Sequence, residues 1–256
     1  MMESPTRSNG APPEDVAIEI RNLHKSFGDH HVLRGVDLQV RTGTTCVVMG
    51  GSGSGKSVLI KNIVKLLEPD EGEIWIFGTR ADLLEKDELD RLRLSIGYLF
   101  QSGALFDSMT VWEQMDFYLD RHTDLTPDER DDRIEETLSW VNLADKADSY
   151  PSELSGGQRK RIGLARAIVL QPQILLYDEP TTGLDPISVR TVSELIVRLQ
   201  EERGISSIAI THDLLCAEII ADEVNFLSEG RIVASGTLDE VQQADHPELK
   251  EFFGTV

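Results

Sequence analysis

The chain has 256 residues, which is enough to bury a sizeable hydrophobic core without disulfides or metals. It is 40% hydrophobic and 27% charged, a composition that excludes collagen-like, wholly disordered and membrane-spanning classes. With 45 acidic against 25 basic side chains the formal net charge is −20, which disfavours nucleic acid as a partner.

The two cysteines, Cys46 and Cys216, lie far apart in apolar surroundings without a CxxC or histidine spacing. This pattern favours buried thiols in a reducing compartment over a disulfide or a metal site. No apolar run approaches the roughly 20 residues that cross a bilayer, and the N-terminus has no apolar signal stretch. We therefore expect a cytoplasmic chain that meets a membrane only through a partner.

The composition and the periodicity of the sequence change at about residue 16. Residues 1–15 combine Pro, Gly, Ser and charge without periodicity, which predicts a disordered tail before a domain over residues 16–256. Apolar and polar positions alternate over residues 17–23 and 32–40, which predicts two half-buried strands around a turn at 27–29.

A glycine-rich loop then joins a predicted buried strand to a predicted helix. Residues 44–49 form a short β-branched run, the pattern of a buried parallel strand, and a helix is expected over residues 56–67. Two more strands are expected at 73–77 and 95–100, on either side of a charged helix near 83–94.

In the second half of the chain, strands and helices alternate again after residue 157. The expected elements are a helix up to residue 170, a strand at 174–177, a helix that Gly204 ends, a strand at 206–210 and a hairpin of strands at 223–227 and 231–235. The order predicts an α/β core with a helical insertion at about residues 102–156, where Ile134, Leu138 and Val141 form one apolar stripe.

The segment after the first buried strand matches GxxxxGK[ST] between a strand and a helix, as phosphate-binding loops require. Glycines let backbone N–H groups surround an anion, Lys56 would reach the β and γ phosphates, and the Ser57 hydroxyl would ligate Mg²⁺. A merely flexible Gly/Ser loop is the alternative. The ATP-binding residues predicted here are Gly50, Gly51, Ser52, Gly53, Ser54, Gly55, Lys56 and Ser57.

Two acids follow the predicted strand at 174–177. A phosphate-binding loop needs a carboxylate at the end of another buried strand to hold magnesium, and Asp178 is placed for it. Adjacent residues at a strand end point in different directions, so Glu179 can face an attacking water. A helix cap is the alternative, which Pro180 makes weaker.

With these residues in place, the chain resembles the nucleotide-binding subunits of ABC transporters from about Ile18 to Gly236. Leu154-Ser155-Gly156-Gly157-Gln158 matches the LSGGQ signature that separates ABC ATPases from other P-loop proteins. The resemblance implies an α/β fold of the ABC ATPase type: a P-loop NTPase (RecA-like) core, an antiparallel β subdomain and an inserted α-helical subdomain. Physically, the signature is a turn that opens a helix, hence a second anion site, although such turns are also common N-caps.

Further residues of this chain match other motif positions of the family. Gln101 resembles the Q-loop glutamine, and His212 resembles the switch histidine, for which a locally hydrogen-bonded histidine is the alternative. Asp185 matches the D-loop, and Phe27 occupies the place of the adenine-stacking aromatic, where tyrosine is usual. The resemblance implies catalytic roles for Glu179, His212 and Gln101, metal contacts from Ser57, Gln101 and Asp178, and ATP and Mg²⁺ as cofactors.

In this family, two subunits sandwich two ATP molecules between the P-loop of one chain and the signature of the other. The resemblance therefore implies a homodimer in which Ser155, Gly156, Gly157 and Gln158 act in trans.

The segment after Gln101, FQSGALFDSMTV, is unusually apolar. Together with LSGGQRKRIGLARAI and DEPTTGLDP, it resembles the ATPases of MCE-type lipid transporters, the Mla group. That resemblance implies phospholipid transport between inner and outer membranes, a permease docked near residues 101–109, an MCE-domain subunit reached through the permease, and a location on the cytoplasmic face of the inner membrane. Leu105 and Phe106 would then lie with Met109 in a surface groove, and ordinary core positions are the alternative.

A second class of function stays open: a soluble ABC ATPase that acts as a scaffold for iron–sulfur assembly or another non-membrane partner. The apolar segment after Gln101 favours the transporter, and the charge of −20 disfavours an ABC protein that acts on nucleic acid. Arg159, Lys160 and Arg161, which follow the signature, are expected on a solvated helix face.

Overall fold

A computed structural model describes residues 10–254. This part of the chain forms ten strands, nine α-helices and three short 3₁₀ helices. The strands are β1 Val16–Phe27, β2 His30–Arg41, β3 Thr45–Met49, β4 Glu71–Ile76, β5 Thr79–Arg80, β6 Ile96–Leu99, β7 Ile174–Asp178, β8 Ser206–Ile210, β9 Glu223–Ser228 and β10 Arg231–Gly236. The α-helices are α1 Lys56–Ile63, α2 Lys86–Leu94, α3 Val111–His122, α4 Pro127–Trp140, α5 Gly156–Ile168, α6 Pro186–Arg203, α7 Leu214–Ile220, α8 Leu238–Gln243 and α9 Pro247–Gly254.

The larger sheet has six strands in the order β10-β9-β3-β8-β7-β6. All of its pairs are parallel except β9 with β10, which form the predicted hairpin. Alternate residues of β3 face opposite sides: Val47 and Met49 join one core cluster, and Cys46 and Val48 join the other. Because both faces are covered, the parallel strands read as continuous apolar runs, as the sequence predicted. The carboxyl ends of β3, β6, β7 and β8 meet at one edge of this sheet.

The smaller sheet has four strands in the order β2-β1-β4-β5, all antiparallel. Its apolar side chains, such as Ile18 and Ile74, belong to the same core cluster as Leu59 and Ile60 of α1. The predicted antiparallel subdomain is therefore observed, and it covers the side of the larger sheet on which α1 lies.

The helical insertion between β6 and α5 is also observed. Thr110 and Thr126 begin α3 and α4 with capping boxes, each hydroxyl accepting from the backbone N–H three residues on. The predicted stripe is buried, with Ile134, Leu138 and Val141 each 1% exposed. The insertion thus packs on the core through one helix face and leaves its acidic face to solvent.

The predicted disordered tail differs from the structure over residues 10–15. Arg21 Nη1 donates to the Gly10 carbonyl at 3.0 Å, and the Thr42 N–H donates to the Asp15 carbonyl at 2.7 Å. Pro12 is buried against the domain. These contacts hold the segment to Arg21 of β1 and to Thr42, the residue after β2, and residues 1–9 of the predicted tail lie outside the described residues.

Both cysteines are buried free thiols, as predicted. Between residues 10 and 254, no helix combines the length and the apolar character needed to cross a bilayer.

Candidate active site

A pocket of about 640 Å³ lies at the edge where the parallel strands end. Loop residues between Gly50 and Val58 line one side, and Gln101, Glu179 and His212 line the other. These three residues follow β6, β7 and β8, so the topology of the sheet brings together groups that lie far apart in the sequence.

The loop between β3 and α1 needs glycine at both ends. A Cβ on Gly50, whose φ is 151°, would lie 2.1 Å from the Leu227 carbonyl oxygen. A Cβ on Gly55, whose φ is 108°, would lie 2.9 Å from Cδ2 of Leu33. The first N–H groups of a helix have no helical partners, and the start of α1 lines the pocket, which suits an anion.

Lys56 lies inside the loop. Its Nζ donates to the carbonyl oxygens of Gly50 and Gly51, each at 2.8 Å. Burial lowers the pKa of Lys56, while the charges of Glu179 and Asp178 oppose that shift. The ammonium is therefore held by the loop at the place where a phosphate would bind.

Ser57 and Asp178 form a pair of oxygen donors beside the loop. The Ser57 hydroxyl donates to Oδ1 of Asp178 at 3.3 Å, and the Tyr98 hydroxyl donates to Oδ2 at 3.3 Å. Burial and the charge of Asp178 raise the pKa of Tyr98, so this phenol remains a donor at neutral pH. Hydroxyl and carboxylate oxygens are the ligands that Mg²⁺ prefers, so this pair fits that ion.

Glu179 directs its carboxylate into the pocket from a left-handed backbone with φ of 54°. Its N–H donates to the Ile210 carbonyl at 2.9 Å, and its Oε2 accepts from the Thr182 hydroxyl at 2.9 Å. His212 Nδ1 lies 3.0 Å from the other oxygen, Oε1. The structure therefore brings together the carboxylate and the imidazole that the sequence predicted as catalytic groups.

The predicted solvated face at Arg159, Lys160 and Arg161 is wrong for Lys160. That side chain is only 6% exposed, and its Nζ donates to the carbonyl oxygens of Gln101 and Glu179. Arg161 is half-buried and donates to the Val141 carbonyl at 3.0 Å, and Arg159 donates to the Leu154 carbonyl. The carbonyls that Lys160 reaches come from segments distant in sequence, so the charge run alone gave no sign of them.

Besides Ser54 and Asp178, which are sequence neighbours of lining residues, three groups of predicted residues lie outside the pocket lining. Ser155 is the exposed N-cap of α5 and accepts a hydrogen bond from the Gln158 N–H at 3.2 Å. Gly156, Gly157 and Gln158 form the start of the same helix, outside the pocket lining. Asp185 begins α6, and hydrogen bonds from the hydroxyl and N–H of Ser188 lower its pKa. Phe27 is 48% exposed, with Lys25 Nζ 5.6 Å from its ring centroid.

Three lining residues were missed by the sequence reasoning, and one of them, Val58, directly follows Ser57 in α1. Val32 comes from β2, and Phe252 comes from α9 near the end of the described chain. The rings of Phe252 and Phe226 have centroids 5.2 Å apart, which docks α9 on β9. For Phe252, the signal in the sequence was the apolar pair at residues 252–253.

Comparisons with known proteins identify the family and several relatives of this chain. A family model described as ABC transporter matches residues 33–182. The chain is 39% identical to the protein TRIGALACTOSYLDIACYLGLYCEROL 3, chloroplastic, of Arabidopsis thaliana, over 93% of this chain and 73% of that protein. It is 38% identical to the probable ribonucleotide transport ATP-binding protein mkl of Mycobacterium leprae, over 95% of this chain and 70% of that protein. The ATP-binding cassette MJ0796, solved as a dimer in a post-hydrolysis state with ADP and Pi, is similar with a TM-score of 0.79 and 31% identity, covering 86% of this chain and 98% of that one.

The chain belongs to the ABC transporter family, and it is an ATP-binding subunit of such a transporter. Its fold is that of the ABC ATPases, as predicted, and it is an ATP-hydrolysing cassette that uses ATP with Mg²⁺.

Proposed function

We propose that this ATPase powers phospholipid transport between the inner and outer membranes through a separate permease. The observation that carries the proposal is an exposed aromatic pair on the insertion, Phe106 with Phe117, in the segment that follows the pocket residue Gln101. ATP hydrolysis takes place in the pocket, and the aromatic pair gives a partner protein a surface to which it can bind.

In the proposed reaction, the loop and Lys56 hold the phosphates of ATP. The N–H groups at the start of α1 and the ammonium of Lys56 both offer positive charge to the same anion. Ser57 and Asp178, with Gln101 at the pocket wall, would hold Mg²⁺. The metal, when bound, neutralises phosphate charge and polarises the phosphoryl oxygens.

Glu179 and His212 act on the attacking water. The water oxygen bonds to the γ-phosphorus, the bond from that phosphorus to the bridging oxygen breaks, and the water proton passes toward the Glu179 carboxylate. Hydrogen bonds from Thr182 and His212 fix the direction of that carboxylate. His212 remains exposed enough, at 58% of its side chain, to turn toward a phosphate.

The chain works as a homodimer with ATP between its two copies. Ser155, Gly156, Gly157 and Gln158 form an exposed helix start that is separate from the chain's own pocket, which supports a role in trans. Ile187, just after the D-loop residue Asp185, is 80% exposed and would be covered in such a dimer.

The permease docks on the Phe106–Phe117 pair. Both rings are 44% exposed, and their centroids lie 6.3 Å apart in an edge-to-face arrangement. Buried Gln114 accepts from the Phe106 N–H at 3.0 Å and so holds the loop that presents this ring. Of the three residues expected in a surface groove, only Phe106 is exposed; Met109 is half-buried, and Leu105 packs partly on the core.

Phospholipid is the proposed cargo because FQSGALFDSMTV, LSGGQRKRIGLARAI and DEPTTGLDP resemble the Mla group. The Arabidopsis relative carries the name of a galactolipid, which supports a lipid cargo, while the mycobacterial relative is named for ribonucleotide transport. The proposed partners are an integral membrane permease and, through it, an MCE-domain lipid-binding subunit, on the cytoplasmic face of the inner membrane.

The experiment that tests this proposal is co-purification from native membranes after mild detergent extraction. The tagged wild-type chain is expected to retain a multi-span permease and an MCE-domain protein, identified by mass spectrometry, and Phe106→Ser with Phe117→Ser should lose both. Leu66→Ser with Leu83→Ser is the matched control, since these side chains are 55% and 67% exposed outside the insertion. Retention of only soluble partners, such as iron–sulfur assembly proteins, would favour the scaffold instead.

A further inference from the structure

The side chain of Lys160 connects three parts of the molecule. It projects from α5, two residues after the end of the signature, and its ammonium reaches the main chain at Gln101 and at Glu179. The distance from Nζ to the Glu179 oxygen is 2.8 Å. One buried cation therefore joins the signature helix, the end of β6 and the end of β7.

A lysine this deeply buried needs compensation, because removing an ammonium from water is costly unless acceptors replace the water. Two carbonyl oxygens accept from Lys160, and the charges of Asp178 and Glu179 offset the effect of burial, which lowers the pKa of Lys160. The ammonium is thus held by groups that line the pocket, whereas Arg161 on the same helix donates to the Val141 carbonyl and interacts with the charge of Asp145, neither of which lines it.

The hydrogen bond from Lys160 restrains the main chain of Glu179, whose side chain is the predicted catalytic carboxylate. The Glu179 N–H is fixed by the Ile210 carbonyl, and the Glu179 carbonyl is fixed by Lys160, while φ of Glu179 is a left-handed 54°. A non-glycine residue in this conformation persists only where its surroundings over-determine it. Without Lys160, one of the two main-chain restraints on Glu179 would be lost.

We propose that Lys160 is a positioning residue of the ATPase reaction, which fixes the main chain of Glu179 and Gln101 to the signature helix so that the carboxylate faces the water. This inference rests on the proposed role of Glu179. Because α5 begins with the signature, the restraint also ties the catalytic carboxylate to the helix that meets the second copy in the proposed dimer.

A second buried cation keeps the Gln101 segment attached when Lys160 is changed. Arg166, 8% exposed, donates to the carbonyls of Gly103, at 3.1 Å, and of Ala104. At Gly163 the helix passes so close that an added Cβ would lie 2.9 Å from Leu99 Cδ1. A change at Lys160 therefore removes the restraint on the catalytic main chain without detaching the segment from α5.

The test compares Lys160→Met, Lys160→Arg and the control Arg161→Met in the full chain. Methionine fills similar volume without a donor, so we expect kcat to fall roughly 10- to 100-fold. KM for ATP and the melting temperature should stay near those of wild type. Lys160→Arg should recover most of kcat because it keeps the donors, and Arg161→Met should leave kcat unchanged. An unchanged kcat in Lys160→Met, or equal losses in both methionine variants, would overturn the inference.

A double variant separates positioning from general damage. If Lys160 acts through Glu179, then Lys160→Met in a Glu179→Gln background should not reduce the residual turnover further. A further reduction as large as in the wild-type background would overturn the inference. Glu179→Gln alone tests the proposed reaction, so failure of that proposal would be visible separately, as near-normal turnover in the single variant.

Discussion

His212 Nδ1 lies 2.9 Å from Oε2 and 3.0 Å from Oε1 of Glu179, so the imidazole faces both oxygens of the carboxylate. The two residues follow neighbouring parallel strands, β8 and β7, which explains how positions 33 apart in sequence meet at one edge. Thr182 donates to the same carboxylate, and the helix that follows, α6, is capped by Asp185 instead. This arrangement favours a chemical role for Glu179 over the capping role that the sequence left open.

Replacing Glu179 with glutamine keeps the shape of the side chain and removes its ability to accept a proton as a base. We expect kcat to fall by a factor of roughly 10² or more, with ATP binding retained and an ATP-bound dimer accumulating. Steady-state phosphate release and nucleotide titration measure the two effects. Glu201→Gln, an exposed change on α6, is the control, and near-normal turnover in Glu179→Gln would remove the carboxylate from the chemistry.

The exposed signature gives a prediction about pairing. Ser155→Arg should leave ATP binding to the isolated chain unchanged and abolish ATP-dependent dimers, because a bulky side chain would block the second anion site. Sedimentation with ATP in a Glu179→Gln background, where dimers persist, is the measurement. Dimers as abundant as without Ser155→Arg would contradict a sandwich that uses the signature in trans.

Neighbouring glycines of the phosphate-binding loop should respond differently to alanine. At Gly50, a Cβ would meet the Leu227 oxygen at 2.1 Å, and the φ of 151° disfavours any side chain. At Gly51 nothing lies within 4 Å of an added Cβ, and φ is not in the left-handed region. We therefore expect Gly50→Ala to weaken ATP binding at least tenfold and Gly51→Ala to change it little, which calorimetric titration can measure; equal affinities would contradict this loop geometry.

The buried thiols predict a pH-dependent reactivity. Burial raises the pKa of Cys46 to about 12 and that of Cys216 to about 11, whereas an unfolded thiol titrates near 8.5. At pH 8 the native chain should resist iodoacetamide and keep its ATPase activity, while urea should expose both thiols to alkylation. Since the folded pKa values are raised, this contribution to stability is complete below about pH 8.5 and is lost as pH rises through about 11 to 12. Rapid native adducts at either cysteine, detected by mass spectrometry, would contradict this burial.

Much of the fold was predictable because short apolar runs and turn residues in the sequence indicate strands and helices locally. The strands expected at residues 44–49 and 174–177 were predicted from short apolar runs bounded by turn residues, and both are observed, each with a shift of one residue at one end. The helix expected over residues 56–67 ends earlier, at Ile63, because the chain turns at Lys65 with a φ of 50°. No glycine marks that turn, so the pattern gave no stop signal.

The positions that the sequence could not predict depend on contacts between distant segments. From the sequence, Lys160 is one residue of a basic run expected on the surface. The structure places it beside the carbonyls of Gln101 and Glu179. Phe252 reads as part of a short terminal helix until the sheet brings β9 next to β3. In both cases the side chain itself is ordinary, and its role follows from long-range topology.

The most direct test of the transport proposal is ATP-dependent movement of a labelled phospholipid by the co-purified membrane complex in proteoliposomes. Complex containing the wild-type chain is expected to move the lipid only with hydrolysable ATP, and complex containing Glu179→Gln is expected to bind ATP without moving it. Equal lipid movement by the two complexes, or none by the wild-type complex while it hydrolyses ATP and moves another solute, would contradict the account.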